Sequence, residues 1–524
     1  MFSTILSGTV YGIKSYLVHV EVDLSSGLPC FVMVGRLGGE VKESGERVRI
    51  ALKNTGISIP PMHISVNLSP ADLRKEGTGF DLAIAVGVLI AMERLPCHCA
   101  DGLLILGELG LNGEIKPVKG VLPTAICAAR QGVGRCLVPK ENVREAAAAE
   151  GMKAVGISCL GQVMDYSRCP PKSRDVMLPP EEIDQKKLLN NEADKKKKTG
   201  KGDFSEIVGQ ESVKRAALIA AAGFHHMLIT GPPGAGKTMI AKCMPSILPP
   251  LSLEESLEIT SIYSISGNLP AGSSLLAERP FLSPHHTVSP QALSGGGRIP
   301  RPGVISLAHR GILFLDELPE FKRQTLDLLR QPLEERKIQI ARTGGSFTYP
   351  ADVMLVGAMN PCPCGYYPDR NKCRCTPAEI HHYLSRISGP ILDRIDLCAN
   401  ASRIEIRQLQ SKKKGESSKD MRQKVMKARK QQKIRYQGTG YRFNSELAAG
   451  DLDRYCHLER EEMEMLEKMF GTLALSARAY HKLLKVARTI ADLEASECIM
   501  KKHLMEAVCF RTGDNLGRQW DGNG

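Results

Sequence analysis

The chain has 524 residues, a net charge of +13 and 16 cysteines, a length that predicts about three or four domains, each able to bury its own core. Its 42% apolar and 24% charged residues are those of a soluble globular protein, and the basic balance favours an acidic partner such as nucleic acid. So many cysteines, with no charged segment ahead of an apolar N-terminal stretch, argue against a secreted disulfide scaffold and predict a reducing cytoplasm; the longest apolar run, Leu82 to Met92, is shorter than the ~18 residues a membrane span needs.

Residues 1–166 predict an α+β domain. Tyr16 to Val22 and Ile64 to Leu68 alternate as strands do, while Ser44 to Thr55 and Asp81 to Glu93 carry helical spacing. Gly35, Val41, Glu43, Ser44, Arg47, Val48, Asn67, Leu68, Pro70, Ala71, Asp72 and Leu73 make this region resemble the proteolytic domain of Lon-type proteases. That family's nucleophilic serine falls on Gly79 and its catalytic lysine on Leu122. A hydroxyl nucleophile needs a positioned base, so the domain reads as a scaffold or binding module, with a hydrolase rescued by Ser44 or Thr78 as the alternative. Residues 167–203 hold proline pairs, mixed charge and the run Lys195 to Lys198. They are expected to form a flexible linker whose lysines are solvated or touch nucleic acid.

Residues 204–406 carry the nucleotide signatures. Leu228 to Thr230 is a short apolar run that ends in Gly231, Pro232, Pro233, Gly234, Ala235, Gly236, Lys237 and Thr238 and then turns helical, the order a P-loop requires and an ordinary Gly/Pro turn does not. Backbone N–H groups of such a loop face the phosphates of ATP, Lys237 reaches the outer phosphates and Thr238 binds Mg²⁺. Ile312 to Leu315 is an apolar strand ending in Asp316 and Glu317; Asp316 is expected to hold Mg²⁺ and Glu317 to orient the attacking water. The leader Phe204 to Gln210 resembles that of AAA+ ATPases. The resemblance makes Asn360, at the end of DVMLVGAMN, the residue that senses the γ-phosphate, and makes Arg394, in LSRISGPILDRIDL, an arginine finger donated to a neighbouring subunit. The plainer reading of Arg394 is a structural pair with Asp393 or Asp396.

Residues 335–354 predict a β-hairpin turning at Thr343 to Ser346; the AAA+ resemblance implies that it projects into a central pore, with Lys337 and Arg342 as DNA contacts. His285 and His286 invite a metal reading, but adjacent histidines diverge and no third ligand lies at a suitable spacing, so a turn or ring-interface role is expected. Cys362, Cys364, Cys373 and Cys375 are spaced to wrap a structural Zn²⁺, with free or redox-active thiols as the alternative. In residues 407–524, Lys412 to Lys433 reads equally as a nucleic-acid contact or an exposed helix, and the helical patterns beyond it predict a small lid. By resemblance Arg478 is a sensor arginine contacting nucleotide phosphate, and Arg488 is structural.

In this order the parts resemble the ComM/YifB family over nearly the full chain. The resemblance implies an α/β fold, a P-loop AAA+ module with a parallel sheet and a C-terminal helical lid preceded by the α+β Lon-like domain. It also implies a homo-oligomer, a hexamer, that hydrolyses ATP to promote branch migration or helicase-like remodelling of single-stranded or branched DNA. A magnesium-chelatase motor subunit and an ATP-gated protein-binding module are the alternatives; a peptidase needs the Gly79 and Leu122 assignments to fail.

Overall fold

A computed structural model of the chain describes residues 1–183, 202–297, 300–342, 345–403, 415–473 and 476–511. The lysine runs at 195–198 and 412–414 and the turn residues Thr343 and Gly344 lie outside them.

The first domain is built on a seven-stranded sheet in the order Cys30–Val34, His63–Ser69, Lys14–Ser25, Phe2–Tyr11, Leu103–Ile105, Arg135–Pro139, Lys153–Ile157. Phe2–Tyr11 and Lys14–Ser25 pair antiparallel across Gly12 and Ile13, and Gly12 at φ 68° supplies the left-handed residue that so short a turn needs. Val18, Val20, Val22 and Leu24 alternate into the core. Helix Asp81–Ala91, buried at every residue, packs on these two strands. The longest apolar run is therefore a core helix, and no helix among the described residues is long and apolar enough to cross a membrane.

The first domain extends past the boundary expected at residue 166. Helices Leu160–Arg168 and Pro171–Met177 continue it. Arg174 donates to the carbonyls of Cys99, Ser167 and Cys169 and lies 5.3 Å from the centre of the Tyr166 ring. Asp175 takes both guanidinium nitrogens of Arg135 at 2.6 and 3.0 Å, and Glu181 bridges to Ala154. Charged side chains satisfying local backbone and one another hold this segment. A reading based on apolar content overlooks that kind of support.

The P-loop module carries a five-stranded parallel sheet in the order Phe281–Leu282, Ile312–Leu315, Met354–Met359, Met227–Thr230, Leu397–Asn400. Helices cover it on both faces, so the three middle strands are buried at every residue and read as unbroken apolar runs. Helices Ser418–Arg435, Ala477–Leu493 and Lys501–Cys509 share one core with the sheet and with helix Glu211–Gly223. The expected lid is thus fused to the module through Val425, Ala428, Leu483 and Ile490. Part of the basic stretch is structural: Arg429 lies 3.8 Å from the centre of the Phe443 ring, and just past the stretch Arg435 donates to Asp492 at 2.9 Å.

The two domains meet at helix Leu253–Ser266. Leu253 and Leu257 pack on the cluster around Leu104, Val121 and Ala125. The Ser264 hydroxyl donates to the buried Glu145 carboxylate, which also accepts from the Leu122 amide at 3.0 Å and the Asn142 amide at 2.9 Å. Burial raises the Glu145 pKa, and these donors only partly oppose it.

Candidate nucleotide site and finger cluster

Strands Met227–Thr230, Ile312–Leu315 and Met354–Met359 run parallel, so the loops leaving their C-terminal ends all emerge at one edge of the sheet. There the P-loop, Asp316 and Asn360 come together. Gly234 and Gly236 sit at φ 75° and 84°, and a Cβ at either would meet open space. Backbone conformation, not crowding, requires glycine at both. Lys237 Nζ donates to the carbonyls of Gly231 and Pro232 at 2.6 and 2.9 Å and to Asn360 Oδ1 at 3.0 Å. Its pKa is lowered by burial, with Asp316 and Glu317 pulling the other way. The Thr238 hydroxyl donates to Asp316 Oδ2 at 2.7 Å. A hydroxyl oxygen and a carboxylate oxygen already in contact form a hard-oxygen pair of the kind that binds Mg²⁺ beside substrate phosphates.

Glu317 lies beside this group with its side chain 61% exposed and its backbone left-handed at φ 51°, a costly conformation for a residue with a side chain. His286 Nδ1 is 3.7 Å from its carboxylate. His286, expected only in a turn or at a ring interface, thus contacts the residue assigned to water activation. Its signal was the pair of histidines itself, read for metal rather than for a carboxylate. Gln210 was also missed: its amide donates to the carbonyls of Ala235 at 3.1 Å and Ser402 at 2.6 Å, tying the P-loop to the exit of the neighbouring strand. A left-handed Gln at the end of the leader leaves no trace in a hydropathy pattern.

Arg394 and Arg478 lie elsewhere. Arg394 precedes strand Leu397–Asn400, and its surroundings include His226 and Val353, which precede two further parallel strands. It therefore sits at the edge of the sheet opposite the P-loop. Four residues at about 3.3 Å each separate the edges by roughly 13 Å. Arg394 pairs with Glu334 at 2.5 Å and donates to the Pro390 carbonyl at 2.6 Å, so its carboxylate partner is neither Asp393 nor Asp396. Arg394 Nε is buried without a partner. Arg478, at the start of helix Ala477–Leu493 behind the N-cap Ser476, reaches the same Glu334 at 3.8 Å. The structure thus places Arg478 with Arg394 rather than with its own P-loop.

Lys482, one turn further along that helix, pairs with Asp396 at 2.9 Å. Asp396 also accepts from the His226 amide at 2.9 Å. Burial works to raise the Asp396 pKa, but Lys482, His225 and His226 hold it well below the usual carboxylate range. This network fastens the helix bearing Arg478 to the loop bearing Arg394. Arg488 donates to the carbonyls of Ser496 and Glu497 at 2.6 and 2.7 Å, a structural role.

The four cysteines come directly after Asn360, and their sulfurs all lie within 4.8 Å of one another. Cys362 Sγ is 3.3 Å from Cys364 Sγ and 3.7 Å from Cys373 Sγ, and Cys364 Sγ is 3.6 Å from Cys373 Sγ. Zn–S bonds of about 2.3 Å in a tetrahedron separate sulfurs by roughly 3.8 Å, so the thiols fit zinc. Amides of Gly365 and Tyr367 donate to Cys362 Sγ at 3.2 and 3.4 Å, a second layer that suits a thiolate. A Cβ at Gly365 would fall 2.5 Å from Pro233 Cδ; the cysteine loop presses directly on the P-loop.

The hairpin forms from Lys337–Arg342 and Gly345–Pro350 in the register Lys337↔Pro350 to Arg342↔Gly345. Lys337 is at its base beside Glu335, 3.7 Å away; Arg342 is at its tip. Five residues apart on a strand, they leave opposite faces. In the first domain Leu122 is fully buried, and Thr78 donates to the Glu108 carboxylate. The buried Lys75 amine donates to the Pro70 carbonyl, and Ser44 accepts from Arg47 at 3.0 Å. Neither hydroxyl has a lysine amine as its hydrogen-bond partner.

Three family descriptions match the chain: "Magnesium chelatase, subunit ChlI" over residues 203–409, "Subunit ChlI of Mg-chelatase" over 20–142, and "Magnesium chelatase, subunit ChlI C-terminal" over 415–511. Protein YifB of Salmonella typhimurium is 41% identical over 514 residues, spanning 96% of each chain. Competence protein ComM of Haemophilus influenzae is 41% identical over 504 residues, spanning 95% of each. The magnesium-chelatase 38 kDa subunit of Rhodobacter capsulatus is 29% identical over 174 residues, 30% of this chain and 50% of its own. With a P-loop and acidic strand end built as AAA+ ATPases build them, and likeness to YifB and ComM over nearly its whole length, the chain belongs to the ComM/YifB family of magnesium-chelatase-type AAA+ proteins.

Proposed function

We propose that this protein is a cytoplasmic, ATP-hydrolysing ring motor, a hexamer, that remodels single-stranded or branched DNA by branch migration or helicase-like action. One observation carries the reading. The nucleotide group around Lys237 lies at one edge of the sheet, and the Arg394–Glu334–Arg478 cluster lies at the other. Two cations that cannot reach their own chain's phosphates are useful to a neighbour's.

Within one site, Lys237 leaves the loop carbonyls for the outer phosphates of substrate ATP, and Thr238 and Asp316 would hold Mg²⁺, which would neutralise phosphate charge. Glu317 accepts a proton from the attacking water as it orients it, and the Asn360 amide fixes the γ-phosphate. Arg394 and Arg478 of the adjoining subunit stabilise charge on the transferred group. The likeness to a competence protein over almost the whole chain supports DNA as the track; the chelatase subunit matches less than a third of it. The first domain serves as a binding module, consistent with Gly79 and Leu122 standing where a Ser–Lys pair would act.

ATP turnover measured with no DNA, single-stranded, duplex and branched DNA tests the reading. Stimulation by DNA is expected; equal turnover in all four overturns it. Arg342→Ala is expected to weaken single-strand binding and lower its salt slope by about 0.7, the share of one phosphate contact. Lys337→Ala, at the hairpin base and paired with Glu335, is expected to do less.

The four cysteines are proposed to hold structural zinc that ties residues 362–375 into one unit against the P-loop. Metal analysis of the purified protein is expected to find about one zinc per chain, set by four thiolate ligands. Cys373→Ser is expected to lose the metal and lower Tm. Wild-type protein that purifies without zinc, or a Cys373→Ser variant that melts at the wild-type temperature, would refute the site.

A further inference from the structure

A cavity of about 940 Å³ opens between the two domains, away from the nucleotide group. Its walls carry Lys42, Arg74 and Lys119 from the first domain and Arg301 and Arg342 from the motor, against Glu40, Glu76 and Glu108. Arg74 is taken by Glu76 at 2.7 Å, and Glu108 by the Thr78 hydroxyl. Among the described residues, Lys42, Lys119, Arg301 and Arg342 have no carboxylate within ion-pair distance. Four cations without an ion-pair partner, two from each domain, therefore face one solvent-filled space against the two carboxylates of Glu40 and Glu108, an excess of positive charge.

Such a concentration of like charge raises the local potential and attracts a polyanion. The residues are also held in place. The stem of Lys119 lies against the motor's Gly267, where a Cβ would come within 2.4 Å of Lys119 Cε. Arg342 comes after Ile338 and Ile340 on the inward face of the hairpin, its Nη2 3.3 Å from where a Cβ at Gly296 would stand. The floor is bare at Gly39 and Gly77, where a Cβ would meet nothing within 4 Å, so a chain can approach the backbone closely. At one side Tyr11 of the first domain meets Phe347 of the hairpin with ring centres 4.5 Å apart, an aromatic platform built from both domains.

We propose that this cleft binds the sugar-phosphate backbone of single-stranded DNA, gripped by the Lon-like domain and the motor at once. The inference rests on the nucleic-acid reading above and adds a role for the first domain. Cations spread over both walls match a succession of separate phosphates better than one compact anion. Continuity with the hairpin tip through Arg342 and the neighbouring rings favours a nucleic acid over an acidic peptide.

The test uses the full chain and a fluorescein-labelled oligo-dT, titrated by anisotropy over a range of salt. Lys42→Gln with Lys119→Gln removes two charges outside both the nucleotide machinery and the hairpin, so DNA-free ATP turnover is expected to stay at the wild-type level. Affinity at low salt is expected to fall about tenfold, and the salt slope to shrink by about 1.4, or 0.7 per phosphate contact. Arg301→Gln, from the opposite wall, is expected to shift both in the same direction and keeps the test decisive if the double variant fails to fold. Wild-type affinity and slope in both variants overturn the cleft while leaving the DNA motor standing. A wild-type protein that binds no oligo-dT overturns the DNA reading itself, and the cleft with it. Binding of a labelled polyglutamate peptide that these substitutions abolish, with oligo-dT unaffected, assigns the cleft to an acidic protein and also overturns the proposal.

Discussion

Glu317→Gln is expected to bind ATP and assemble normally while turnover falls by about 10²–10⁴, the usual worth of a positioned general base. The amide keeps the shape of the carboxylate but cannot take a proton. No hydrogen bond of the phosphate cradle uses its carboxylate: Lys237 is held by Gly231, Pro232 and Asn360, and Thr238 by Asp316. Lys237→Ala is expected to behave differently, losing ATP affinity as well as turnover. Single-turnover hydrolysis, nucleotide binding and light scattering with and without ATP separate the two variants. Wild-type turnover in Glu317→Gln would move water activation to another group, and His286, 3.7 Å away, is the first to examine.

The nucleotide half of the site was legible because each part is a short local pattern. A buried parallel strand reads as an apolar run, and the groups its end presents to phosphate are written in the next few residues, as at Gly231 to Thr238 and at Asp316. The Arg394 cluster was legible only in part. Arg394 has a local motif, but Glu334, 60 residues earlier, is its partner only because two loops meet in space. Lys482 likewise answers Asp396 across 86 positions of sequence. Long-range ion pairs have no periodicity to reveal them. The folded start of the expected linker escaped for the same reason: Arg174 and Asp175 bind carbonyls and an arginine of distant segments, while the hydropathy there is that of a tether. The hairpin shows a third limit. Its two strands were visible, yet the opposed faces of Lys337 and Arg342 emerge only from the register.

Arg394→Ala alone is expected to lower turnover by about 10³–10⁵, the range for a finger acting on phosphoryl transfer, with ATP affinity little changed. The stronger expectation concerns mixtures. A ring of Arg394→Ala subunits has intact P-loops and no finger; a ring of Lys237→Ala subunits has fingers and no competent P-loop. When the two are mixed, some interfaces join the sound P-loop of the first to the sound finger of the second, and activity is expected to rise above either parent and peak at intermediate ratios. A structural arginine serving its own chain gives no such recovery, because every subunit then carries one lethal change. Arg478→Ala mixed with Lys237→Ala is expected to recover in the same way, since Arg478 shares Glu334 with Arg394. Recovery for Arg394 but not for Arg478 would separate the two cations and give Arg478 to its own nucleotide. Failure of both at every ratio, in rings shown to contain both subunits, would leave the placement of these arginines at the far edge of the sheet without a catalytic reason.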